Sequence, residues 1–332
     1  MRSLSTRDGD PTDWIKNEVV ADLAARWPES AEGVGQLIRY ALAGKGKLLR
    51  PLLVCHSALV VGGELERVLP AASGIECVHT GSLLHDDIID GDTVRRGRPA
   101  VHASFGHDRA ILAGNALYFA WFTALADCAQ RGVADHLIRQ AMVIQAQAGV
   151  EACRGAVDEL TLTGRPDCGT DAYLDMARRK TAALLAAACR TGAVLAEASP
   201  AQEAALATYG ENLGLAFQIR DDLLPYTAAP HRLGKPADSD LRNLRPTLPV
   251  ILAWQAANPA DRAALRDVFT DVHSSDLDDT MHRLKHILTR TGALEYARQA
   301  ADQHADQARA ALDGLTPSAY IRALRDFTFR PA

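Results

Sequence analysis

The chain has 332 residues, of which 48% are apolar, enough to bury a sizeable core in one large domain or two ordinary ones. Its formal net charge of -5 argues against general nucleic-acid binding, which usually needs a basic surface, but permits a local basic pocket. The cysteines form no CxxC pair, residues 1–11 lack the apolar segment of a secretory signal, and no uncharged apolar run reaches the roughly 18 residues of a membrane span. We therefore expect a cytoplasmic globular protein with no nucleic-acid partner and no integral membrane association.

The hydrophobic pattern is helical nearly throughout. Apolar residues recur at three- and four-residue spacing, and no run of β-branched residues alternates with period two. The long segments 107–128, 171–197 and 202–224 each read as several helical turns, and Gly- or Pro-containing stretches separate the helices. Because no Ser/Gly linker and no fixed-period repeat occurs, we predict one all-α domain over residues 1–332.

A basic segment, residues 44–51, comes first among the candidate functional segments. Lys47 and Arg50 lie three residues apart at the start of an apolar helix, next to glycines that let a ligand approach the backbone. A helix start favours anions, so the segment is a candidate phosphate site. Taken alone, such a basic loop is more often an exposed surface loop that binds no ligand.

The segment 73–90 reads as an apolar helix whose last residues include three aspartates. Asp86 and Asp90 are four residues apart, so their carboxylates share one helix face, whereas Asp87 lies about 100° around the helix. Like charges near the negative end of a helix dipole are unfavourable, and a bound cation would remove that conflict. Oxygen-only ligands on few carboxylates suit Mg²⁺; the bland alternative is a solvated acidic helix end.

Several cations follow without obvious acidic partners. Arg95 and Arg96 come just after the acid cluster and look like a pair of phosphate clamps. Lys180 heads the apolar run 181–189, and it is either a buried cation facing a phosphate or a helix residue whose stem covers apolar surface.

A second acid pair, Asp221 and Asp222, ends the helical segment 211–224. Pro225 stands four residues after Asp221, so a third acid is missing. Since proline disfavours helix at the residue before it, we predict that the helix ends or kinks there. Soon after, a Gly-Lys-Pro loop presents Lys235.

Four segments, GKGKLLRP, HDDIIDGDTVRRGRP, FQIRDD and LGKPADSDLRNLRPTLP, now form a recognisable pattern. Over residues 38–252 the chain resembles the trans-prenyl diphosphate synthases of the polyprenyl synthetase family, and among them the geranylgeranyl diphosphate synthases. The resemblance implies a large helical bundle around a central substrate cavity. It also implies a Mg²⁺-dependent enzyme, usually a homodimer, that adds isopentenyl diphosphate to an allylic diphosphate.

The resemblance also implies a role for each matching residue. Asp86 and Asp90 would hold two Mg²⁺ ions on the allylic diphosphate, and Asp221 a third. Further ligands of that diphosphate would be Arg95, Lys180 and Lys235. The ligands of the isopentenyl diphosphate would be Lys47, Arg50, His79 and Arg96. Gln218 and Thr181 match positions that face the developing cation, and Asp87 and Asp222 complete the catalytic acid pairs. Without the resemblance, His79 would read as a core histidine on an apolar helix.

Product length is predicted from the residues one turn deeper than Asp86. Gly81 and Ser82 are both small, and bulk there tends to stop growth early in the family. The path therefore looks open beyond a fifteen-carbon product, with Val78 or the aromatic residues of the 107–128 segment as its floor. We expect a twenty-carbon product, geranylgeranyl diphosphate.

Three departures from the family pattern stand out. Pro225 replaces the third aspartate of the second cluster, Arg245 stands where a lysine is usual, and Ala156 stands where a glutamine is expected.

Two other functions remain open at this point. A class I terpene cyclase would ionise one diphosphate and would not need Lys47, Arg50 and Arg96. A partner-dependent, non-catalytic subunit of a heteromeric synthase would be expected to lose the aspartates of the first cluster, which are intact here.

Overall fold

The computed structural model describes residues 11–44, 46–227, 238–270 and 277–329, and within them the chain is almost entirely helical, as predicted. The first helices are α1 (Pro11–Arg26), α2 (Val34–Leu42), α3 (Leu49–Val60) and α4 (Leu65–Asp90). A short hairpin of β1 (Val94–Arg95) and β2 (Arg98–Pro99) leads to α5 (Val101–Phe105), α6 (His107–Gln130) and α7 (Asp135–Leu162). Then come α8 (Thr170–Ala177), a π-helical turn (Arg178–Ala182), α9 (Ala183–Leu195) and α10 (Pro200–Thr227). The last helices are α11 (Ser239–Arg242), α12 (Leu248–Ala256), α13 (Pro259–Thr270), α14 (Leu277–Arg290), α15 (Ala293–Ala311) and α16 (Ala319–Phe327).

The predicted helices agree with these elements except in one region. The segments 73–90 and 107–128 fall inside α4 and α6. The predicted helix over 171–197 is instead divided into α8, a π-helical turn and α9. A π turn holds one extra residue, which rotates the helical pattern by about 100°, but the run 181–189 is apolar on every face and hides that shift.

Of the two alternatives predicted for α10 before Pro225, an end or a kink, the end is wrong. The helix continues through Pro225 to Thr227, and Pro225 itself is buried. Proline here lies in the last turn, so it removes one amide donor close to where the helix stops anyway. Thr227 Oγ1 donates to Leu223 O at 2.9 Å and so satisfies one of the last backbone carbonyls of the helix.

Two helices, α4 and α10, place the acid pairs. In the main apolar core α4 packs against α3 and α6, while α10 packs between α9 and α15. Bonds from α11 and the residues after it reach the C-terminal end of α4 and the turn that follows. The segment that follows α10 in sequence is thereby joined to the acidic end of α4.

One helix, α6, is long and apolar enough by length and composition to cross a membrane. The core helix of a globular protein passes the same test, and α6 packs very closely on α4. A Cβ built on Gly81 of α4 would lie only 2.9 Å from Gly114 O of α6. Any residue larger than glycine at position 81 would therefore collide with the backbone of α6. Other large apolar side chains of α6 are exposed in this chain, namely Ile111, Leu112, Phe119 and Phe122.

Candidate active site

The acids at the end of α4 divide between two directions. Asp86 is half-buried and accepts no hydrogen bond from any residue in the described ranges. Burial raises the pKa of Asp86; Asp90 and Glu159 raise it further, while Lys180 opposes them. The carboxylate of Asp86 is thus available to accept a bond from a ligand. Because burial disfavours its charged form, a nearby positive charge is needed to keep it ionised.

Asp87 faces away from Asp86 and holds Arg95. Its carboxylate is 2% exposed and accepts from Arg95 Nε at 2.7 Å, with a second, shorter contact from Nη2. Burial raises the pKa of Asp87 to about 6, although the charge of Arg95 lowers it. The middle acid of the cluster therefore orients an arginine.

An arginine from a distant segment meets the third acid. Arg245 donates to Asp90 through Nη1 at 3.0 Å and through a shorter contact from Nη2, and it lies 3.3 Å from Glu159. Lys180 Nζ donates to the same Glu159 at 2.5 Å. Two cations and two carboxylates thus form one network beside Asp86.

The π-helical turn that contains Lys180 and Thr181 is fixed by close packing. A Cβ built on Gly155 of α7 would lie 2.3 Å from Lys180 N, so only glycine lets α7 approach the turn this closely. Thr181 Oγ1 donates to Gln218 Oε1 at 2.7 Å. The turn therefore directs Lys180 to Glu159 near the first acid cluster and Thr181 to the helix that contains the second.

The second acid pair is also divided between two directions. Asp222 is 5% exposed and accepts from Tyr173 Oη at 2.6 Å, Gln218 Nε2 at 2.9 Å and Leu248 N at 3.3 Å. Burial, followed by the charge of Asp240, raises the pKa of Asp222 to about 7. Asp221 is only half-buried, and its charge acts on Lys47. Asp222 is part of the wall of the site, and Asp221 is the acid that can meet a ligand.

The predicted isopentenyl diphosphate ligands Arg50, His79 and Arg96 lie together, and the charge of Asp86 acts on Arg50. Arg50 Nε is buried without a hydrogen-bond partner among the described residues, and burial lowers the pKa of Arg50 to about 10. Burial and the charges of Arg50, Arg96 and Arg95 lower the pKa of His79 well below its usual value, so His79 is neutral at pH 7. Partial burial also lowers the pKa of Lys47. Cations that repel one another, with the unused donor Arg50 Nε among them, form a pocket suited to an anion.

Buried Glu76 stands in the wall of this basic pocket. It is 3% exposed, on the same helix as His79. Burial raises the pKa of Glu76 to about 7, whereas Arg96 and Arg50 lower it. Arg96 lies against the basic segment, since a Cβ on Gly46 would be 2.7 Å from its Nη1.

The carboxylates fit a metal ion that shares its coordination with a ligand. Within the part of the chain that the structure describes, no three His, Cys, Asp or Glu side chains converge as a preformed cage. Asp86 instead accepts no hydrogen bond among the described residues, whereas both oxygens of Asp90 accept from Arg245 and Asp221 is half-buried. Mg²⁺ binds in this way, through one or two carboxylates together with waters and substrate phosphate.

The predicted chain-length residues lie on α4 in different environments. Gly81 faces the backbone of α6, so its small size has a packing reason and is not in itself a sign of an open path. Ser82 is half-buried and its Oγ donates to His79 O at 2.8 Å, and Val78 packs against the main core. Lys235 lies outside the described residues.

Comparison with known proteins supplies the family. The Polyprenyl synthetase family profile matches residues 31–287. The chain belongs to the polyprenyl synthetase family. It is 36% identical over 285 residues to a short chain isoprenyl diphosphate synthase of Methanothermobacter thermautotrophicus, covering 86% of this chain and 85% of that protein. It is 39% identical over 266 residues to a geranylfarnesyl diphosphate synthase of Aeropyrum pernix, covering 80% and 82%.

A further relative and a solved structure extend this comparison. An octaprenyl diphosphate synthase of Escherichia coli is 32% identical over 291 residues, covering 88% of this chain and 87% of that protein. The crystal structure of a polyprenyl synthase from Caulobacter crescentus, complexed with calcium and isoprenyl diphosphate, has 29% sequence identity and a TM-score of 0.88. That match covers 98% of this chain and 100% of the other. The chain is therefore a prenyl transferase acting on isopentenyl and allylic diphosphates, and its relatives differ in product length.

Sequence reasoning missed several residues of this prenyl synthase site. Glu159 receives both Lys180 and Arg245, and Tyr173 and Glu76 are buried in the walls. The one available signal was that Glu159 lies four residues after Gly155, on the same face of α7. Arg245, the partner of Asp90, comes from a distant segment, as do Tyr173 and Leu248, which donate to Asp222, and no local pattern indicates them.

Proposed function

We propose that this chain is a Mg²⁺-dependent trans-prenyl diphosphate synthase that forms geranylgeranyl diphosphate. One observation carries the proposal. Asp86 and Asp90 lie beside a basic pocket in which Arg50 has a buried, unused donor. A metal-bridged diphosphate and a second, arginine-bound diphosphate would account for both features. A reaction with a single diphosphate would leave the basic pocket unexplained.

The residues assigned to the allylic diphosphate would stabilise it as it leaves. Breaking the allylic C1–O bond gives a carbocation and diphosphate, so catalysis requires positive groups fixed around the diphosphate oxygens. Bound Mg²⁺ supplies Lewis-acid stabilisation of that developing negative charge. Arg95 is held for this purpose by Asp87, and Lys180 is directed by the π turn. We also assign Lys235 to this diphosphate on the strength of the family motif.

The basic pocket would place the second substrate. Lys47, Arg50, His79 and Arg96 hold the diphosphate of isopentenyl diphosphate, which brings its double bond to the nascent cation. Thr181 and Gln218 present oxygen atoms near the cation, and their mutual hydrogen bond fixes them. The final proton goes to the departing diphosphate, so the 1'–4 coupling requires no protein base.

A twenty-carbon product follows from the half-buried Ser82 and Val78 on the helix along which the chain would grow. Ser82 is small, and Val78 lies one turn deeper, about 5.4 Å further along the helix. This spacing is close to one isoprene unit. The relatives include a short chain isoprenyl, a geranylfarnesyl and an octaprenyl diphosphate synthase, so this assignment rests on these positions and is tested by the product itself.

The test uses purified protein, Mg²⁺ and radiolabelled isopentenyl diphosphate, with dimethylallyl, geranyl or farnesyl diphosphate in turn. We expect a labelled twenty-carbon alcohol after dephosphorylation, and no product when Mg²⁺ is chelated. A longer ladder would contradict the assigned length while keeping the reaction. Absence of incorporation with every starter, in protein that is folded by circular dichroism, would contradict the proposal.

We propose further that the chain forms a cytoplasmic homodimer of single domains. α6 and α7 expose large apolar side chains, on α6 Ile111, Leu112, Phe119 and Phe122, and on α7 Met142, Val143, Val150, Val157 and Leu160. Exposed apolar surface of this extent is typical of a protein interface.

The dimer is tested by the paired change Phe119→Glu and Phe122→Glu, which should yield monomers in sedimentation velocity. Tyr296→Glu on α15 is the matched control, since Tyr296 is 60% exposed on another helix and should leave the dimer intact. A monomeric wild type would contradict the proposal.

A further inference from the structure

A turn of three residues, 90–92, anchors the segment 238–245 that follows the second acid pair. Ser239 Oγ donates to both oxygens of Asp92, at 2.9 and 3.1 Å, and Arg242 Nη2 donates to Asp92 Oδ1 at 2.9 Å. Asn243 Nδ2 donates to the Asp90 carbonyl at 3.1 Å. The segment is therefore attached to the first acid cluster by side chains along its length.

Asp92 is the centre of this attachment. Its carboxylate is fully buried, and Arg95 Nη2 also lies 3.7 Å from Asp92 Oδ2. A buried carboxylate needs charged or hydrogen-bonding partners, and those of Asp92 come from α11 and from β1. Asp92 thus joins two segments that are far apart in sequence.

Both segments contain a cation of the candidate active site. Arg245 follows α11 by three residues and binds Asp90, and Arg245 N donates to Asp240 O at 2.8 Å, which ties it to that helix. Arg95 binds Asp87 as well as lying beside Asp92. Movement of α11 or of β1 relative to the turn would displace a cation from the first acid cluster.

We propose that Asp92 is a positioning residue that fixes Arg95 and Arg245 around the allylic diphosphate. The inference rests on the proposed function for its substrate. Asp92 acts through its partners, because its carboxylate is buried and fully engaged with Ser239, Arg242 and Arg95. None of these partners is among the four predicted ligands of isopentenyl diphosphate, and the one that lies near them is Arg95, which precedes Arg96 and whose charge acts on His79. Loss of Asp92 should therefore affect one substrate more than the other.

The test compares Asp92→Asn with Asp261→Asn. Asp261 is a matched control because it is also buried, accepts from Asn258 Nδ2 at 2.9 Å and pairs with Arg290, all on α13, α14 and their flanks. For Asp92→Asn we expect kcat/KM for the allylic diphosphate to fall about 30-fold, with KM for isopentenyl diphosphate within about twofold. Asp261→Asn should lower the melting temperature and leave both substrate constants unchanged.

A double-mutant cycle with Arg242→Gln tests the connection directly. If Asp92 acts by holding α11, Arg242→Gln should lower kcat/KM for the allylic diphosphate far less in the Asp92→Asn background than in the wild type. Fully additive effects, or an equal loss for both substrates, would overturn the proposal.

A readout without catalysis separates this inference from the proposed function. Hydrogen–deuterium exchange should become faster in peptides covering 238–249 in Asp92→Asn, and remain unchanged there in Asp261→Asn. If the wild type makes no prenyl product, the proposed function fails while exchange still reports on the attachment. If the wild type is active and both exchange and allylic kcat/KM of Asp92→Asn match it, the positioning role is wrong.

Discussion

The two acid pairs differ in how many carboxylates they present. In both, the first aspartate faces the site and the second belongs to the wall, where Asp87 holds Arg95 and Asp222 receives Tyr173 and Gln218. The cluster on α4 adds Asp90, whereas the equivalent position on α10 is the buried Pro225. The repeated motif therefore encodes one site-facing acid and one wall acid, and the third position is where the two helix ends diverge.

The partners of the wall acids differ as well. Asp87 is paired with a cation, and its pKa is raised to about 6; Asp222 has neutral donors, and its pKa is raised to about 7. The first pair fixes a charged group that can meet substrate. The second fixes the amide of Gln218 and the backbone at Leu248.

The largest expected effect comes from the site-facing acids. We expect Asp86→Asn and Asp221→Asn each to lower kcat by about 10³-fold, because each removes a carboxylate that we propose as a ligand of Mg²⁺. The wall variant Asp222→Asn should lower kcat by about tenfold, since it acts through Gln218. Initial rates at saturating Mg²⁺ and both diphosphates measure all three. Equal losses for site-facing and wall variants would break the distinction between them.

The next effect tests the π turn, which serves both acid pairs. Gly155→Ala should lower kcat/KM by about 10²-fold, because a methyl group there collides with the backbone of Lys180. Gly149→Ala is the control on the same helix, since nothing lies within 4 Å of its added Cβ. It should raise stability by up to about 1 kcal/mol through helix propensity and leave the rates unchanged. Equal rates for both variants would show that the turn tolerates displacement.

A pH-dependent effect sharpens the comparison by testing a wall acid deeper in α4. Burial raises the pKa of Glu76 to about 7, so the folded protein binds more protons than the unfolded chain between about pH 4.5 and 7. Stability is therefore lost as pH rises through that window, by at most about 1.4 kcal/mol per pH unit from this group. Glu76→Gln should remove that slope in urea titrations of metal-free protein. An identical slope in the variant would contradict a buried, titrating Glu76.

The smallest effect concerns Arg245, which binds Asp90 of the first acid cluster. Arg245 occupies Asp90 with its positive charge, so a metal ion must compete with it. Arg245→Gln should bind Mn²⁺ about fivefold more tightly in the absence of substrate, because it removes the competing cation from an ion pair whose two side chains are only 10% and 8% exposed. Titration calorimetry measures this, with Arg283→Gln on α14 as the control. Weaker binding would show that Arg245 does not compete for Asp90.

The local geometry of the site was predictable, and its long-range contacts were not. Helical spacing placed Asp86 and Asp90 on one face and turned Asp87 away, because that follows from 3.6 residues per turn. It could not show that Arg245 reaches Asp90, a pairing that only the packing of distant segments creates. The π turn was invisible for a related reason. Its cause is the approach of Gly155 from another helix, not a signal in the segment itself.

The contact between Gly81 and Gly114 restricts how product specificity could be re-engineered. A larger residue at Gly81 would meet the α6 carbonyl at 2.9 Å and push the two helices apart before it could shorten a bound chain. A library for directed evolution should keep both glycines fixed and diversify Ser82 and Val78 instead. Substitutions selected at those positions would alter the depth available to the growing chain. The packing of α4 on α6 would stay unchanged, and with it the positions of the aspartates at the end of α4.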